Sequence, residues 1–190
     1  MIKLGRPLIL APGSPRRKEI LDTMGLLYTV DVSDADESFS SDPENMVLEL
    51  SRRKAKAVSV KHANALILAA DTLVFGKEVL GKPNDCEHAK RMLRELSDAW
   101  HSVYTGVTLI DTHTGRILSQ ADMTRVHFTH LSDEEIEAYV ASGEPLDKAG
   151  AYGIQGMGGM FVDRIEGSYS NVVGLPMALV RNMLLELGTE

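Results

Sequence analysis

Two short, wholly apolar segments most constrain how this chain folds. Leu8–Ala11 is followed at once by turn residues, and the run Leu66–Ala70 ends at the charged residue Asp71. An apolar run without a polar side chain on either face is typical of a strand that is buried on both faces. Such strands lie in sheets that helices cover, so the two segments predict an α/β fold.

Helix signals alternate with these strands along the chain. Ser14, Asp42 and Ser132 occupy positions expected of N-cap residues, and Pro15 and Pro43 follow the first two of them. The predicted helices cover about residues 15–24, 43–58, 85–96 and 133–142, and a final helix opens at Pro176. The predicted strands cover about residues 8–11, 65–75, 103–110, 117–129 and 161–165. The order in which these strands pair cannot be read from the sequence.

The composition is that of a single globular unit. The chain has 190 residues, of which 44% are hydrophobic and 25% are charged. No linker or repeat divides it, so we expect one domain over residues 1–190. The formal net charge of −7 argues against a nucleic-acid binder, because affinity for a phosphate backbone requires an excess of lysine and arginine.

The cysteine content and the N-terminal segment bear on location. A single cysteine, Cys86, excludes a disulfide framework and fits a reducing compartment. The apolar run near the N-terminus breaks at Pro12 and is too short to span a membrane. We therefore expect a cytoplasmic protein without a membrane partner. A homodimer is the commonest arrangement of soluble oligomers, but no exposed apolar stripe identifies an interface, so the oligomeric state stays open.

The segment GSPRR at 13–17 places two arginines in the first turn of a predicted helix. The partial positive charge at a helix N-terminus disfavours cations by a few tenths to about 1 kcal/mol each. A bound phosphate would reverse this preference, because Ser14, Arg16, Arg17 and the backbone N–H groups could all hold it. Alternatively, the arginines pair with acidic residues of the same helix. The P-loop pattern is absent.

Lys54 and Asp71 are charged residues in apolar surroundings. Lys54 falls between Leu50 and Val58 on the apolar stripe of its predicted helix. Its ammonium group either extends to solvent or points into a cleft. Asp71 ends a buried strand, and α/β proteins usually bind ligands at the ends of such strands. Asp71 either ties down a loop or acts chemically, by activating water or by holding a metal ion.

Other residues carry weaker signals. Lys82 lies in a tight turn between Gly81 and Pro83, and Glu37 lies in an acidic loop. Both positions are also typical of solvated surfaces. The six histidines show no metal-ligand spacing, so a zinc site is not expected. The Gly-x-Ser-x-Gly elbow of the α/β-hydrolases is absent as well.

Eight segments, in order along nearly the whole chain, resemble the Maf family of nucleotide pyrophosphatases. They are LILAPGSPRRKEIL at 8–21, SDADE at 33–37, RKAKAV at 53–58, AADT at 69–72, GKP at 81–83, HSVYTGV at 101–107, GEPLDKAGAYGIQG at 143–156 and NVVGLP at 171–176. Each segment alone is a weak match, but eight in register make the resemblance specific.

The resemblance implies both a fold and an activity. The fold would be α/β, related to the inosine-triphosphate pyrophosphatases, with a mixed central sheet flanked by helices and two lobes around a long cleft. The activity would be hydrolysis of a nucleoside triphosphate between its α- and β-phosphates, to the monophosphate and diphosphate. A divalent cation, Mg²⁺ or Mn²⁺, would be the cofactor. Such an enzyme would clear unwanted nucleotides from the cellular pool.

The resemblance also implies roles for individual residues. Asp71 would accept a proton from the attacking water molecule. Arg16, Lys54 and Lys82 would contact the triphosphate, and Glu37 would help to place the metal ion.

One segment points to a substrate class. DKAGAYGIQG at 147–156 is similar to the Maf branch that acts on dTTP and UTP. The resemblance makes Arg16, Thr72 and Gln155 the specificity determinants. A neutral amide such as that of Gln155 both donates and accepts hydrogen bonds, which suits the edge of a pyrimidine.

Position 12 departs from the family pattern, and two rival functions stay open. The family usually has serine where this chain has Pro12, which lacks both a hydroxyl and a backbone N–H, so we expect no direct role for position 12. One rival function is a pyrophosphatase for non-canonical purine nucleotides. The other is a nucleotide-binding regulator of cell division, because Maf proteins are linked with inhibition of septum formation.

Overall fold

The computed structural model describes residues 2–11, 13–32, 35–36, 38 and 40–187. Its strands are β1 (Leu8–Leu10), β2 (Tyr28–Val30), β3 (Leu66–Phe75), β4 (Val79–Leu80), β5 (Trp100–Asp111), β6 (Ile117–Phe128) and β7 (Val162–Glu166). Its helices are α1 (Pro15–Thr23), α2 (Pro43–Ser59), α3 (Cys86–Leu96), α4 (Asp133–Ala141), α5 (Tyr169–Val173) and α6 (Met177–Leu187). Short 3-10 helices cover Glu144–Asp147, Ala149–Ala151 and Met157–Phe161.

Within the described residues, seven strands form one mixed sheet in the order β2-β1-β3-β5-β6-β7, with β4 paired to β3. β1 pairs in parallel with both β2 and β3, so that Leu8 aligns with Tyr28 and Leu66. β4 is antiparallel to β3, and β7 is antiparallel to β6. β1 and the first half of β3 are fully buried, as their apolar sequences predict. The predicted α/β class, with a mixed central sheet flanked by helices, is confirmed.

The predicted helix starts are confirmed, with side-chain caps at three of them. Asp42 and Asp85 each accept a hydrogen bond from the backbone N–H three residues later, at 3.1 and 2.7 Å. Ser132 and Glu135 form a reciprocal capping box at the start of α4. These caps satisfy N–H groups that have no partner inside the helix. Local chemistry alone therefore determines where these helices begin.

The shortest elements escaped the sequence analysis. β2 has three residues, β4 has two and α5 has five. Segments of this length contain too few residues to show a hydrophobic period, and β1, which also has three, was recognised only because it lies in a wholly apolar run. They form because neighbouring strands and helices supply their hydrogen-bond partners and their packing.

The helices also bear on membrane association. α2, with 17 residues, is the longest helix of those described. In the part of the chain that the structure describes, no helix is long and apolar enough to cross a membrane. The expected cytoplasmic location is a separate statement and stays a prediction.

The chain divides into two compact units. The first comprises residues 1–71, 105–122 and 174–190, and the second comprises residues 72–104 and 123–173. β3, β5 and β6 contribute residues to both units. Each unit has a buried apolar cluster of its own. The expectation of one domain over residues 1–190 is not tested by this division and stays a prediction.

In the first unit, α2 packs on one face of β1 and β3. Ala55 and Val58 of α2 share a buried cluster with Ile9 of β1 and with Ile67 and Ala69 of β3. Side chains alternate between the two faces of a strand, so the odd-numbered residues of β3 point toward α2. This packing determines which functional side chains of α2 and β3 can meet.

α2 also lies very close to β5. Gly106 of β5 faces the backbone of α2, and a Cβ atom at that position would lie 2.2 Å from the carbonyl oxygen of Val47. A buried chain of hydroxyl groups supports the same contact. Ser51 Oγ lies 2.9 Å from Thr108 Oγ1, which lies 3.0 Å from Ser119 Oγ. α2 is therefore held against the sheet by close backbone approach and by hydrogen bonds.

The second unit has an aromatic core that contains one buried histidine. His101 is only 3% exposed, and its Nε2 lies 2.9 Å from the hydroxyl oxygen of Tyr152. Its ring stands edge-on to Phe128 and Tyr152, with centroids 5.0 and 5.4 Å away. Its Nδ1 has no hydrogen-bond partner among the described residues. Protonation would place a buried donor there, and burial, with a smaller contribution from the charge of His127, lowers the pKa of His101 to about 4.

The lowered pKa of His101 predicts how stability depends on pH. An unfolded histidine has a pKa of about 6.5, so between pH 6.5 and pH 4 the unfolded chain binds the additional proton. The free energy of unfolding should therefore fall as the pH decreases through this window, by about 2 kcal/mol at pH 5. Urea unfolding at pH 5–8 measures it. His101→Phe should flatten the dependence, and His130→Gln, on the surface, should not. Equal slopes in all three proteins would refute the assignment.

Candidate active site

Lys54 and Asp71 form the best-defined charged pair among the predicted site residues. Lys54 Nζ donates a hydrogen bond to Asp71 Oδ1 at 2.6 Å. The side chains are 12% and 16% exposed, so both are largely withdrawn from water but still accessible to a ligand. The sequence left open whether Lys54 extends to solvent or points inward. It points inward, to the carboxylate of Asp71. The expectation that Asp71 ends its strand is wrong, because β3 continues to Phe75 and only its fully buried half, Leu66–Ala70, ends at Asp71.

Strand and helix geometry explain why these two residues meet. Asp71 has the same parity as Ile67 and Ala69, so it lies on the face of β3 that α2 covers. Lys54 directly precedes Ala55, which packs on that face. The buried apolar residues position the helix on the strand, and the ion pair lies where their packing ends. The pair is thus a consequence of how α2 docks.

The segment at 13–17 forms a helix start that its serine does not cap. α1 begins at Pro15 and follows Ser14, as predicted, but the Ser14 side chain makes no capping hydrogen bond among the described residues. The first turn of α1 contains no acidic residue. Arg16 is half-buried at this position. The arrangement fits a helix start that binds an anion, although its role stays a prediction.

Arg17 has a structural contact that the sequence did not reveal. Its Nε donates a hydrogen bond to the carbonyl oxygen of Gly174 at 2.8 Å, 157 residues away in the chain. The two residues come from the segments at 8–21 and 171–176 that carry the family resemblance. Arg17 therefore connects α1 to the turn before α6. Its predicted contact with substrate is not tested by this hydrogen bond.

The second unit holds Thr72, Lys82 and Gln155. Lys82 is exposed in the turn at Gly81, whose carbonyl oxygen accepts a hydrogen bond from the backbone N–H of Gly150 at 3.1 Å. Gln155 is exposed in a turn that the hydrogen bond from Gly156 N to Gly153 O closes at 3.2 Å. Thr72 directly follows Asp71 and is half-buried. The structure thus joins the segment of Lys82 to the glycine-rich segment that carries Gln155.

Two predicted features lie outside the described residues. They are Glu37, expected to help place a metal ion, and Pro12, expected to have no direct role. Both expectations stay predictions.

The described side chains are compatible with a divalent cation that also binds substrate. Among the described residues, no group of three or more histidine, cysteine, aspartate or glutamate side chains could form a metal cage. Mg²⁺ does not require one, because it is commonly bound by one or two carboxylates together with substrate phosphates. Asp71 supplies one accessible carboxylate of this kind. The donor set therefore fits a cation that arrives with a triphosphate.

Two cavities in the first unit are lined by residues other than the predicted site residues. One, of about 520 Å³, is lined by Ile2, Met24, Met177, Ala178, Arg181 and Leu185. The other, of about 570 Å³, follows residues 2–8 and 25–27. Neither contains a predicted site residue, and their walls are mostly apolar. The Arg6 guanidinium in the second is already paired with Asp111 at 3.1 Å.

Some residues that shape the site were missed by the sequence analysis. Gly106 lets α2 approach β5, and Glu144 and Tyr139 bind the loop that carries Gln155. Gly106 and Glu144 lie inside the matching segments at 101–107 and 143–156, which was the only signal available. Their functions depend on backbone atoms distant in the chain, which no local pattern reveals.

Comparison with known proteins identifies the family to which this chain belongs. The sequence model described as "Maf-like protein" matches residues 7–187. A protein of Halalkalibacterium halodurans named "dTTP/UTP pyrophosphatase" is 49% identical over 176 residues, which cover 91% of this chain and 92% of that protein. Proteins with the same name from Bacillus mycoides and Salinibacter ruber are 47% and 49% identical, over 94% and 93% of this chain and 94% and 89% of their own. The resemblance stated from the sequence is confirmed, and the chain belongs to the Maf family.

Proposed function

We propose that this chain hydrolyses nucleoside triphosphates, with dTTP and UTP as substrates, to the nucleoside monophosphate and diphosphate. The observation that carries the proposal is the accessible ion pair of Lys54 and Asp71, where the buried half of β3 ends. Family membership and the name dTTP/UTP pyrophosphatase of relatives at 47–49% identity support the reaction type and the substrates. Removal of unwanted nucleotides from the cellular pool is the corresponding physiological role.

Asp71 acts as the proton acceptor in this mechanism. A water oxygen forms a bond to the α-phosphorus while Asp71 accepts a proton from that water. The bond between the α-phosphorus and the oxygen that bridges it to the β-phosphorus breaks. Its electron pair leaves with the diphosphate. The Lys54 ammonium, 2.6 Å away, orients the Asp71 carboxylate for this transfer.

Cationic side chains bind the phosphate oxygens and neutralise part of their negative charge. In phosphoryl transfer most of the rate comes from positioning and from stabilisation of charge. We assign this role to Arg16, Lys54 and Lys82, with Ser14 and Arg17 at the start of α1. An ammonium group has three donors, so Lys54 can bind a carboxylate and a phosphate oxygen together. Thr72 and Gln155 are assigned to recognition of the nucleoside.

A divalent cation completes the proposal. Glu37 is the carboxylate assigned to help hold Mg²⁺ or Mn²⁺, together with phosphate oxygens of the substrate. The cation, when bound with the triphosphate, supplies Lewis-acid charge neutralisation at the phosphate oxygens.

A panel of triphosphates tests the function. Purified protein with Mg²⁺ or Mn²⁺ should release diphosphate from dTTP and UTP, with the monophosphate identified by chromatography, and much less from GTP, ATP and inosine triphosphate. Chelation of the cation by EDTA should reduce release to the background rate. Preferred turnover of inosine triphosphate would instead support the purine enzyme. Tight nucleotide binding without turnover under any metal would support the cell-division regulator and overturn the proposal.

A further inference from the structure

The loop that carries Gln155 is bound at both ends by side chains outside it. The backbone N–H of Gly153 donates to the hydroxyl oxygen of Tyr139 at 3.1 Å. At the other end, the backbone N–H groups of Met157 and Gly158 donate to the carboxylate of Glu144 at 3.0 and 3.2 Å. Gln155 is exposed, and it lies between the two ends of the loop that these three hydrogen bonds hold in place.

The two anchors are joined to each other. Tyr139 donates its hydroxyl proton to Glu144 Oε1 at 2.9 Å, so the phenol bridges Gly153 and the carboxylate. Burial and the neighbouring Glu144 carboxylate raise the pKa of Tyr139, although the hydrogen bond from Gly153 opposes this. Tyr139 therefore keeps its proton and continues to donate to Glu144. The loop closes on one connected pair of side chains.

The Glu144 carboxylate stays ionised and remains an acceptor, for a different reason. Burial alone would raise its pKa, but the N–H groups of Met157 and Gly158 and the hydroxyl of Tyr139 together lower it. An ionised carboxylate has two acceptor oxygens and no donor. Both oxygens are used here, Oε1 by Tyr139 and Gly158 and Oε2 by Met157. An amide in its place would direct a donor at another donor.

The glycines of the loop allow the carboxylate to lie directly against the backbone. A Cβ atom at Gly156 would lie 2.5 Å from both carboxylate oxygens of Glu144, and one at Gly158 would lie 2.6 Å from the Tyr139 hydroxyl. The close packing leaves the loop little room to shift while both anchors hold it. Gln155 thus extends from a backbone whose position depends on Glu144 and Tyr139.

We propose that Glu144 and Tyr139 are positioning residues for base recognition, acting through the loop that presents Gln155. This inference rests on the proposed function, because it assumes that Gln155 reads the nucleobase of a pyrimidine triphosphate. If Gln155 is displaced, the enzyme loses a contact with the nucleobase that is equally strong in the ground state and in the transition state. Loss of such uniform binding raises KM and leaves kcat nearly unchanged.

The test compares discrimination between bases in Glu144→Gln and wild type. The change keeps the side-chain size but replaces one acceptor oxygen with a donor. We expect KM for dTTP to rise about tenfold and the ratio of kcat/KM for dTTP over dATP to fall about tenfold, with kcat for dTTP within about twofold. Tyr139→Phe, which keeps the ring 5.0 Å from Phe161 and removes the hydroxyl, should act in the same direction and serves if Glu144→Gln does not fold.

A matched control and a double-mutant cycle separate positioning from general damage. Glu166→Gln changes a surface glutamate of the same unit that pairs with Arg125, and its discrimination should equal wild type. In a Gln155→Ala background, Glu144→Gln should lower discrimination no further, because its effect passes through Gln155.

The outcomes distinguish this inference from the proposed function. If wild type hydrolyses no triphosphate, the proposed function itself fails. The positioning role is overturned if wild type prefers dTTP to dATP and a folded variant, Glu144→Gln or Tyr139→Phe, shows the same preference, measured as the ratio of kcat/KM. An equal further loss from Glu144→Gln in the Gln155→Ala background would also overturn it, since the two residues would then act independently.

Discussion

Asp71→Asn is expected to lower kcat for diphosphate release from dTTP by about a thousandfold, within the ~10²–10⁴ range that general acid–base catalysis contributes. An amide oxygen cannot accept the proton of the attacking water at neutral pH. Coupled diphosphate detection under saturating dTTP and metal measures the rate. Because the change also removes a negative charge from the site, which could weaken binding of the cation, the metal concentration should be varied to show that the loss persists at saturation.

The fold should survive this substitution. The asparagine oxygen can still accept the hydrogen bond from Lys54, so the ammonium keeps a partner although it loses a counter-charge. The loss of stability should be smaller than the ~3–5 kcal/mol typical when one partner of a buried pair is removed altogether. Circular dichroism and thermal unfolding check this point.

A matched control is available in the same unit. Asp31 is also ion-paired, with Lys61 at 3.1 Å, and shares a hydrogen bond of 2.9 Å with His62, but it is 28% exposed and is assigned no role in the reaction. Asp31→Asn should retain wild-type turnover. If folded Asp71→Asn turned over dTTP as fast as Asp31→Asn does, Asp71 would not be the proton acceptor.

Gly106→Ala is expected to destabilise the protein by about 3 kcal/mol, at the upper end of the usual range for overpacking. The added Cβ would lie 2.2 and 2.4 Å from the carbonyl oxygen and carbon of Val47, and 2.8 Å from the backbone nitrogen of Leu48. No rotamer change can relieve a clash with main-chain atoms. α2 and β5 must therefore separate, which also strains the buried hydrogen bond between Ser51 and Thr108.

Thermal unfolding measures the effect of Gly106→Ala. For a chain of this length, ~3 kcal/mol corresponds to a decrease in Tm of roughly 6–12 °C. Turnover should fall as well, because α2 carries Lys54 and a misplacement of about 1 Å can lower a rate about a hundredfold. Gly81→Ala is the stability control, since its Cβ would meet nothing within 4 Å. A Tm for Gly106→Ala equal to that of Gly81→Ala would contradict the close approach of α2 and β5.

The sequence predicted the parts of the fold that depend on local chemistry. Asp42 and Ser132 mark helix starts because their side chains bind N–H groups only three residues away. Leu66–Ala70 identifies a buried strand because no polar side chain interrupts it. The same reasoning placed Asp71 directly after that buried run, as a candidate for chemistry, although the strand itself continues to Phe75. In each case, the residues on which the prediction depends lie within one helical turn or one strand of each other.

Contacts between distant segments could not be predicted in this way. The periodicity of α2 places Lys54 on the apolar stripe but does not say whether its ammonium reaches solvent or a carboxylate. That outcome depends on which face of β3 the helix covers. The carboxylate that Lys54 contacts, that of Asp71, lies 17 residues further along the chain. The contact of Arg17 with Gly174 spans 157 residues, and a backbone carbonyl as acceptor has no signature in the side chains.

By itself, then, the sequence determined the α/β class, the helix starts and the position of Asp71 directly after a buried apolar run, because local hydrogen bonding and uninterrupted apolar runs suffice for each. Only the tertiary structure decided that Lys54 meets Asp71, that Gly106 must lack a side chain, and that Glu144 anchors the loop of Gln155. These arrangements follow from the docking of α2 on the sheet and from the packing of a glycine-rich loop on a carboxylate. Both are set by the mutual fit of segments far apart in the chain, which no local pattern encodes.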